Sequence, residues 1–455
     1  MIKDLTKGSI GRVVIANAIP LCLSLLIQQF YNIIDTMLVG RLLGELPLSG
    51  VGSTGCLNFM VTYFCIGLAT GFTMPVAREF GAKNYAAMRH YVGLGIRLVV
   101  IFTGIITVLV AVLTGQLLTL MNTPDDIYGY AYAYIFVIFL GMPCTILYNY
   151  TASLIRALGD NRTPLYALII ATVLNIGMDL LFMTTLGLGV VGAALATILA
   201  QLISGLICLT VIIRKIPVLH LSGADFAGSS AMSRELIGVA LPMGLQYSIT
   251  AIGTIVVQFA VNSLGTMAVT GVTVAAKVMA LMQCPLDAIG QSMAPYAGQN
   301  LGAKEYDRIK KGLLKASLMG FVWSLLSIPV IYFFGGYMTG LFVDGMSEGA
   351  MNYAAIHMRT ACLFYIPLTL VNTVRFTIQG LGFSAFAMTA GVCEMVARTA
   401  SALLLVPLIG FYGIALASPL AWLLADAFLV PAFFYCLKKV SGGLSVRQGS
   451  KTAKA

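Results

Sequence analysis

Charge is what this sequence has least of. Asp, Glu, Lys and Arg make up 10% of its 455 residues, under half the ~25% of an average soluble domain, which excludes an ordinary water-soluble enzyme. Histidine is nearly absent, with 3 residues, and none is clustered. The nine cysteines contain no Cys-x-x-Cys pair, so they read as small lipid- or core-facing residues. No cleavable leader is expected either. Met1 to Arg12 is polar, without the basic-then-apolar pattern of a signal peptide, so the first apolar segment is expected to be retained.

What fills the chain instead is apolar: 59% of residues are hydrophobic and mean hydropathy is +0.93. At ~20 residues per span, a chain of this length holds about a dozen membrane helices and little else. Loops rich in Gly, Pro, Asn or charge divide it into helices expected near 12–41, 47–77, 91–116, 127–156, 163–186, 189–213, 234–263, 268–299, 313–339, 351–380, 384–409 and 411–437. The fold class is therefore an all-α polytopic membrane protein of twelve transmembrane helices.

A net charge of +10 would suggest nucleic acid in a soluble protein. Here the basic residues fall in alternate loops, beginning with Lys3, Lys7 and Arg12, then Arg78, Lys83, Arg89 and Arg97, then Arg156 and Arg162. The opposite loops carry acids: Glu45, Asp125, Asp126, Asp344 and Glu348. By the positive-inside rule both termini are cytoplasmic. The excess charge reports topology, and no nucleic-acid partner is expected.

The chain repeats itself at half its length. Gly81-Ala-Lys-Asn-Tyr85 returns as Gly302-Ala-Lys-Glu-Tyr306, 221 residues on, and Gly192-Ala-Ala-Leu-Ala196 as Gly413-Ile-Ala-Leu-Ala417. Two lobes of six helices follow, at 1–220 and 221–455. Six is even, so the repeats are parallel and related by an axis along the membrane normal, as in transporters whose lobes rock about a central cavity.

Acids inside spans need a reason, because a charge at the bilayer centre costs roughly 2.5–3.5 kcal/mol on insertion scales. Asp35, Asp179, Asp287, Glu394 and Asp426 qualify. Asp35 and Asp179 lie ~9 and ~12 Å from the outer ends of their helices, at nearly one depth, and Thr197 lies ~15 Å from the same side. Asn175 stacks on Asp179 at i, i+4, as Ala193 does on Thr197. Together Asp35, Asn175, Asp179, Thr197 and the Ala193 carbonyl would form an oxygen-rich set suited to a hard cation or a proton. Two carboxylates in a poorly hydrated pocket repel one another and resist ionising together, which is what proton coupling requires.

The second lobe differs. Glu394 and Arg398 are i, i+4 and expected to neutralise each other. Arg398 stands where Asn175 stands in the first lobe, so the cation site is expected in the first lobe alone. Lys277, Asp287 and Arg375 are candidates to line or brace a cavity, and Asp426 has no evident partner. Six prolines fall inside spans, including Pro20, Pro143 and Pro367, where a bend or hinge is expected.

At Asn32-Ile-Ile-Asp-Thr-Met-Leu-Val-Gly-Arg-Leu-Leu-Gly44, at the repeated Gly-Ala-Lys motif and at Leu158-Gly-Asp-Asn-Arg-Thr-Pro164, the chain resembles the multidrug and toxic compound extrusion (MATE) family along all twelve helices. The resemblance implies an antiporter that exports drugs or toxic amphipathic compounds, mostly cationic, against inward H+ or Na+. It implies no cofactor, a monomer among membrane lipids, and a bacterial inner membrane. Helices 7 and 10 lack the acids of the NorM-like branch, whereas Asp35, Asn175, Asp179 and Thr197 match the ion site of the DinF-like branch and would ligate Na+ if sodium is coupled. Ala193 matches its carbonyl donor, Asn149 a polar cavity residue and Pro20 its bending proline. A lipid-linked oligosaccharide flippase is the related alternative. An intramembrane aspartyl protease is a distant one, since the acids sit in Ile34-Asp35 and Met178-Asp179 rather than Tyr-Asp and Gly-x-Gly-Asp contexts.

Overall fold

The computed structural model describes residues 3–227, 229–340 and 347–452, the last of these by backbone alone from residue 443. Asp344 lies outside the described residues. Among the described residues all regular structure is helical. In chain order the helices are α1 (Ile10–Leu43), α2 (Glu45–Ser53), α3 (Gly55–Gly71), α4 (Met74–Gly81), α5 (Tyr85–Leu120), α6 (Asp125–Leu140), α7 (Met142–Ala157), α8 (Arg162–Leu180), α9 (Gly189–Lys215), α10 (Ser230–Ser263), α11 (Thr266–Gly302), α12 (Tyr306–Gly340), α13 (Glu348–Cys362), α14 (Tyr365–Gly380), α15 (Ser384–Ala400), α16 (Val406–Ile409) and α17 (Phe411–Thr452).

Ten stretches are long and apolar enough to cross a bilayer, and two bent pairs bring the spans to twelve. The bent pairs are α6 with α7, at 46°, and α13 with α14, at 55°. The spacing predicts one continuous helix over each, and proline explains the breaks. Pro143 and Pro367 stand in the first turns of α7 and α14, where a missing N–H has no helical partner to lose.

The chain divides into two compact units. The first comprises Met1–Asp4, Leu23–Phe80 and Asn84–Ser248; the second comprises Leu5–Cys22, Gly81–Lys83 and Ile249–Ala455. Membership thus changes within α1 and again within α10. The core of the first unit is built on Phe72, Tyr134, Ile135 and Phe139, that of the second on Tyr365, Val371, Trp422 and Leu429.

The repeat is written into the backbone. Lys83 and Lys304 adopt φ of 59° and 63°, closing the helices that end in the Gly-Ala-Lys motif. There the Asn84 N–H donates to the Glu79 carbonyl at 3.0 Å, and the Glu305 N–H to the Asn300 carbonyl at 2.8 Å, the wrap-around bond of a helix C-cap. Widened π turns follow α8 at Leu181–Thr185 and α15 at Ser401–Leu405. Apolar periodicity does not distinguish such a turn from α-helix, so the sequence leaves both unseen. Each turn is approached closely by a glycine: a Cβ on Gly192 would lie 3.0 Å from Phe182, and one on Gly413 would lie 2.6 Å from the Val406 nitrogen. Small residues let membrane helices pack this tightly.

Candidate functional site

Within the first unit, α1 supplies Tyr31 and Asp35, α6 supplies Tyr134, α8 supplies Asn175 and Asp179, and α9 supplies Ala193 and Thr197. Packing of α8 and α6 against α9 sets the latter five residues in place. A close approach fixes part of that contact, because a Cβ on Gly141, at the break between α6 and α7, would lie 2.2 Å from Ile198. Asp179 is fully buried and Asn175 is 1% exposed. The carboxylates of Asp35 and Asp179 act on each other electrostatically and on the hydroxyls of Tyr31 and Tyr134.

Hydrogen bonding in the pocket is uneven. Tyr31 and Thr197 share a hydrogen bond between hydroxyls at 3.0 Å, and Thr197 Oγ1 is 3.1 Å from the Ala193 carbonyl, to which it donates. The carbonyl expected as a free ligand therefore already accepts from Thr197. By contrast, Asp35 Oδ1, both carboxylate oxygens of Asp179 and both amide atoms of Asn175 are buried without a hydrogen-bond partner among the described residues. An unsatisfied buried polar atom costs about 1–3 kcal/mol. Four of the five are acceptor oxygens, a set that suits a proton or a small cation, whereas the Asn175 amide nitrogen is a donor. Among the described residues no three His, Cys, Asp or Glu side chains gather as they would for a transition metal. The donor set is carboxylate, amide and hydroxyl oxygen, which suits a hard ion.

Sequence alone does not single out Tyr31 or Tyr134. Tyr31 stands four residues before Asp35, on the same face of α1, and that spacing is a usable signal. Tyr134 reaches the pocket only through the packing of α6, which nothing local encodes.

The remaining candidates divide. Asn149 is half-buried, and its amide donates to the Thr145 carbonyl one turn back on α7 at 2.8 Å. Pro20 is buried within α1, which continues through it as helix. In the second unit Arg398 Nη2 lies 3.3 Å from Glu394 Oε2, the pair that the spacing predicts. Arg375, which sequence does not connect to them, reaches the other oxygen of Glu394 from α14. All three are under 9% exposed. Asp426 on α17 lies within electrostatic range of Arg375 and Glu394, which supplies the neighbours that the sequence could not name, although its Oδ1 accepts no hydrogen bond. Asp287 on α11 accepts from Asn372 Nδ2 at 2.8 Å. Lys277 is exposed on the same helix.

Comparison with known proteins decides the family. The MatE profile matches residues 20–181 and again residues 242–404. The chain belongs to the MatE family. The two matched blocks begin 222 residues apart, so the profile finds the repeat that the sequence shows internally. MatE proteins are transporters, and this one is not an enzyme. The chain is 28% identical over 346 residues to the probable multidrug resistance protein YoeA of Bacillus subtilis, covering 74% of each chain. It is 22% identical over 431 residues to a FAD transporter of Shewanella oneidensis, covering 92% and 93%. Its fold is similar to that of a solved multidrug resistance MATE family transporter, with a TM-score of 0.88 at 21% identity, over 96% of this chain and 98% of the other.

Proposed function

We propose that this MatE protein is an antiporter that exports amphipathic, mostly cationic organic compounds in exchange for inward H+ or Na+. Its ion site is Asp35, Asn175, Asp179, Thr197 and the Ala193 carbonyl, as in the DinF-like branch. The observation that carries the reading is the set of buried, unpartnered oxygens that α1 and α8 bring together. Tyr31 orients Thr197 through their shared hydrogen bond, and Tyr134 borders the two acids.

Coupling follows from charge. When Asp35 and Asp179 are ionised and unpaired, their mutual repulsion favours taking up a proton or sodium ion. A cationic substrate favours the emptied, ionised state, so ion and substrate bind in alternation. Alternating access of two lobes, 1–220 and 221–455, carries the exchange across the membrane. Pro20 serves as the bend of the first helix, and Asn149, Lys277 and Asp287 are candidates to contact substrate. The basic loops support cytoplasmic termini, and we propose a monomer in a bacterial inner membrane.

The test is efflux of a fluorescent cationic dye from proteoliposomes under a pH or a sodium gradient imposed separately. Dye movement driven by one gradient is the expected result and names the ion. Failure under both gradients, with transfer of a lipid-linked oligosaccharide instead, would replace antiport by the flippase reading.

A further inference from the structure

A cavity lies in the first unit, on the face formed by α5, α7, α9 and the loop after α9. It encloses about 650 Å3, within the size range of small-molecule sites. Its walls include Val99, Val100, Leu147, Leu154, Leu209 and Ile213. Val100 and Ile213 are 65% and 59% exposed, so the cavity opens sideways, toward the apolar phase, along helices that span the bilayer.

The hydroxyls in its wall are already tied to backbone. Thr151 Oγ1 donates to the Leu147 carbonyl at 2.7 Å, and Tyr150 Oη to the Val92 carbonyl at 3.3 Å. A drug-like ligand site usually offers a few convergent polar groups; this wall offers none and suits a hydrocarbon chain. The mouth is different in kind. His220 Nε2 donates to the Ile213 carbonyl at 2.8 Å, folding the loop back over one end of the cavity. Arg214 and Lys215 follow Ile213 directly, are exposed, and enter no ion pair among the described residues. The acid of the neighbouring loop, Asp225, is engaged by Ser222, Arg89 and His90. Positive charge is thus free at the edge of an apolar slot.

We infer that this cavity binds an anionic phospholipid, one acyl chain lying between α5 and α9 and the phosphate meeting Arg214 and Lys215. Each basic residue near the headgroup raises the preference for an anionic over a zwitterionic lipid about fivefold. The full-length protein is reconstituted in nanodiscs with equal phosphatidylglycerol and phosphatidylcholine of matched chains, extracted in detergent and weighed by native mass spectrometry. Retention of phosphatidylglycerol over phosphatidylcholine is expected, with the preference falling about fivefold in Lys215→Gln and disappearing in Arg214→Gln/Lys215→Gln. Val100→Trp fills the slot from its exposed side and is expected to strip both lipids while leaving the melting temperature in place. Equal retention of the two lipids by the unmodified chain, a preference unchanged in the double variant, or undiminished lipid on Val100→Trp would each overturn the inference.

Discussion

The two units solve the problem of buried charge in opposite ways. In the first, Asp179 and Asp35 have no basic side chain paired with them among the described residues, and Asp35 Oδ1 and both carboxylate oxygens of Asp179 are buried without hydrogen-bond partners. In the second, Glu394 is clasped by Arg375 and Arg398. The backbones of the two sequence repeats scarcely differ at the corresponding places: each carries a π turn within its fifth span, each closes its second span through a lysine at positive φ, and each starts its sixth beside a tightly approached glycine. The scaffold is therefore duplicated while the chemistry is not. Function resides in the side chains set on the scaffold, and acids inside membrane spans are functional candidates whether or not they are paired.

That contrast breaks most sharply at Asp179. Asp179→Asn is expected to reduce gradient-driven dye efflux to the level of protein-free liposomes, while the melting temperature holds or rises, because the carboxylate makes no hydrogen bond that the amide would lose. Glu394→Leu is expected to do the reverse, because it leaves Arg375 and Arg398 buried without the carboxylate they share. Removing one partner of a buried ion pair costs about 3–5 kcal/mol, whereas replacing Arg375, Glu394 and Arg398 together by apolar residues of similar volume recovers most of it; thermal melts of the single and triple variants check both. Loss of transport with full stability in the triple variant would move the second cluster from brace to site.

Smaller effects test whether the two π turns are equally packed. Gly413→Ala places its Cβ against the Val406 nitrogen at 2.6 Å and Gly192→Ala against Phe182 at 3.0 Å. Both destabilise within about 1–3 kcal/mol, and melting temperatures should place Gly413→Ala at the upper end. The smallest effect concerns the connection between the repeats. Hydrogen bonds from the Ser222 backbone and hydroxyl, helped by His90 and Arg89, hold the Asp225 carboxyl below its ordinary value of 3.8. A lowered folded-state value stabilises the loop above that pH, and the contribution fades as pH falls through the lower one. Protection factors at residues 222–226, which remove the intrinsic pH dependence of amide exchange, should fall as pH drops below 3.8; protection that stays constant as pH is lowered from 5 to 2 would contradict the assignment.

Much of this was legible in the sequence. Long apolar runs, their basic flanks and the echoing Gly-Ala-Lys motif give twelve spans in a repeated order, and helical spacing puts Asn175 over Asp179 and Glu394 over Arg398. Depth along the helices is enough to pair Asp35 with Asp179. What stayed hidden depends on contacts between helices distant in sequence. Tyr134 joins the pocket through α6 packing, Arg375 reaches Glu394 from another helix, and Asp426 finds its neighbours only in the folded second unit. The π turns escaped for a different reason, since one extra residue in a turn leaves the apolar pattern nearly unchanged.

The most direct test of the central claim, that the unpaired acids of the first unit are the coupling site, is substrate-driven ion flux. Purified protein in liposomes is given a cationic dye gradient, and the counter-movement of protons or sodium is recorded for the unmodified chain, Asp35→Asn, Asp179→Asn and Asp426→Asn. Ion flux in the unmodified chain and in Asp426→Asn, with none in the two first-unit variants, is the predicted result. Ion flux that survives in Asp179→Asn and vanishes in Asp426→Asn would place the coupling site in the second unit and contradict the account.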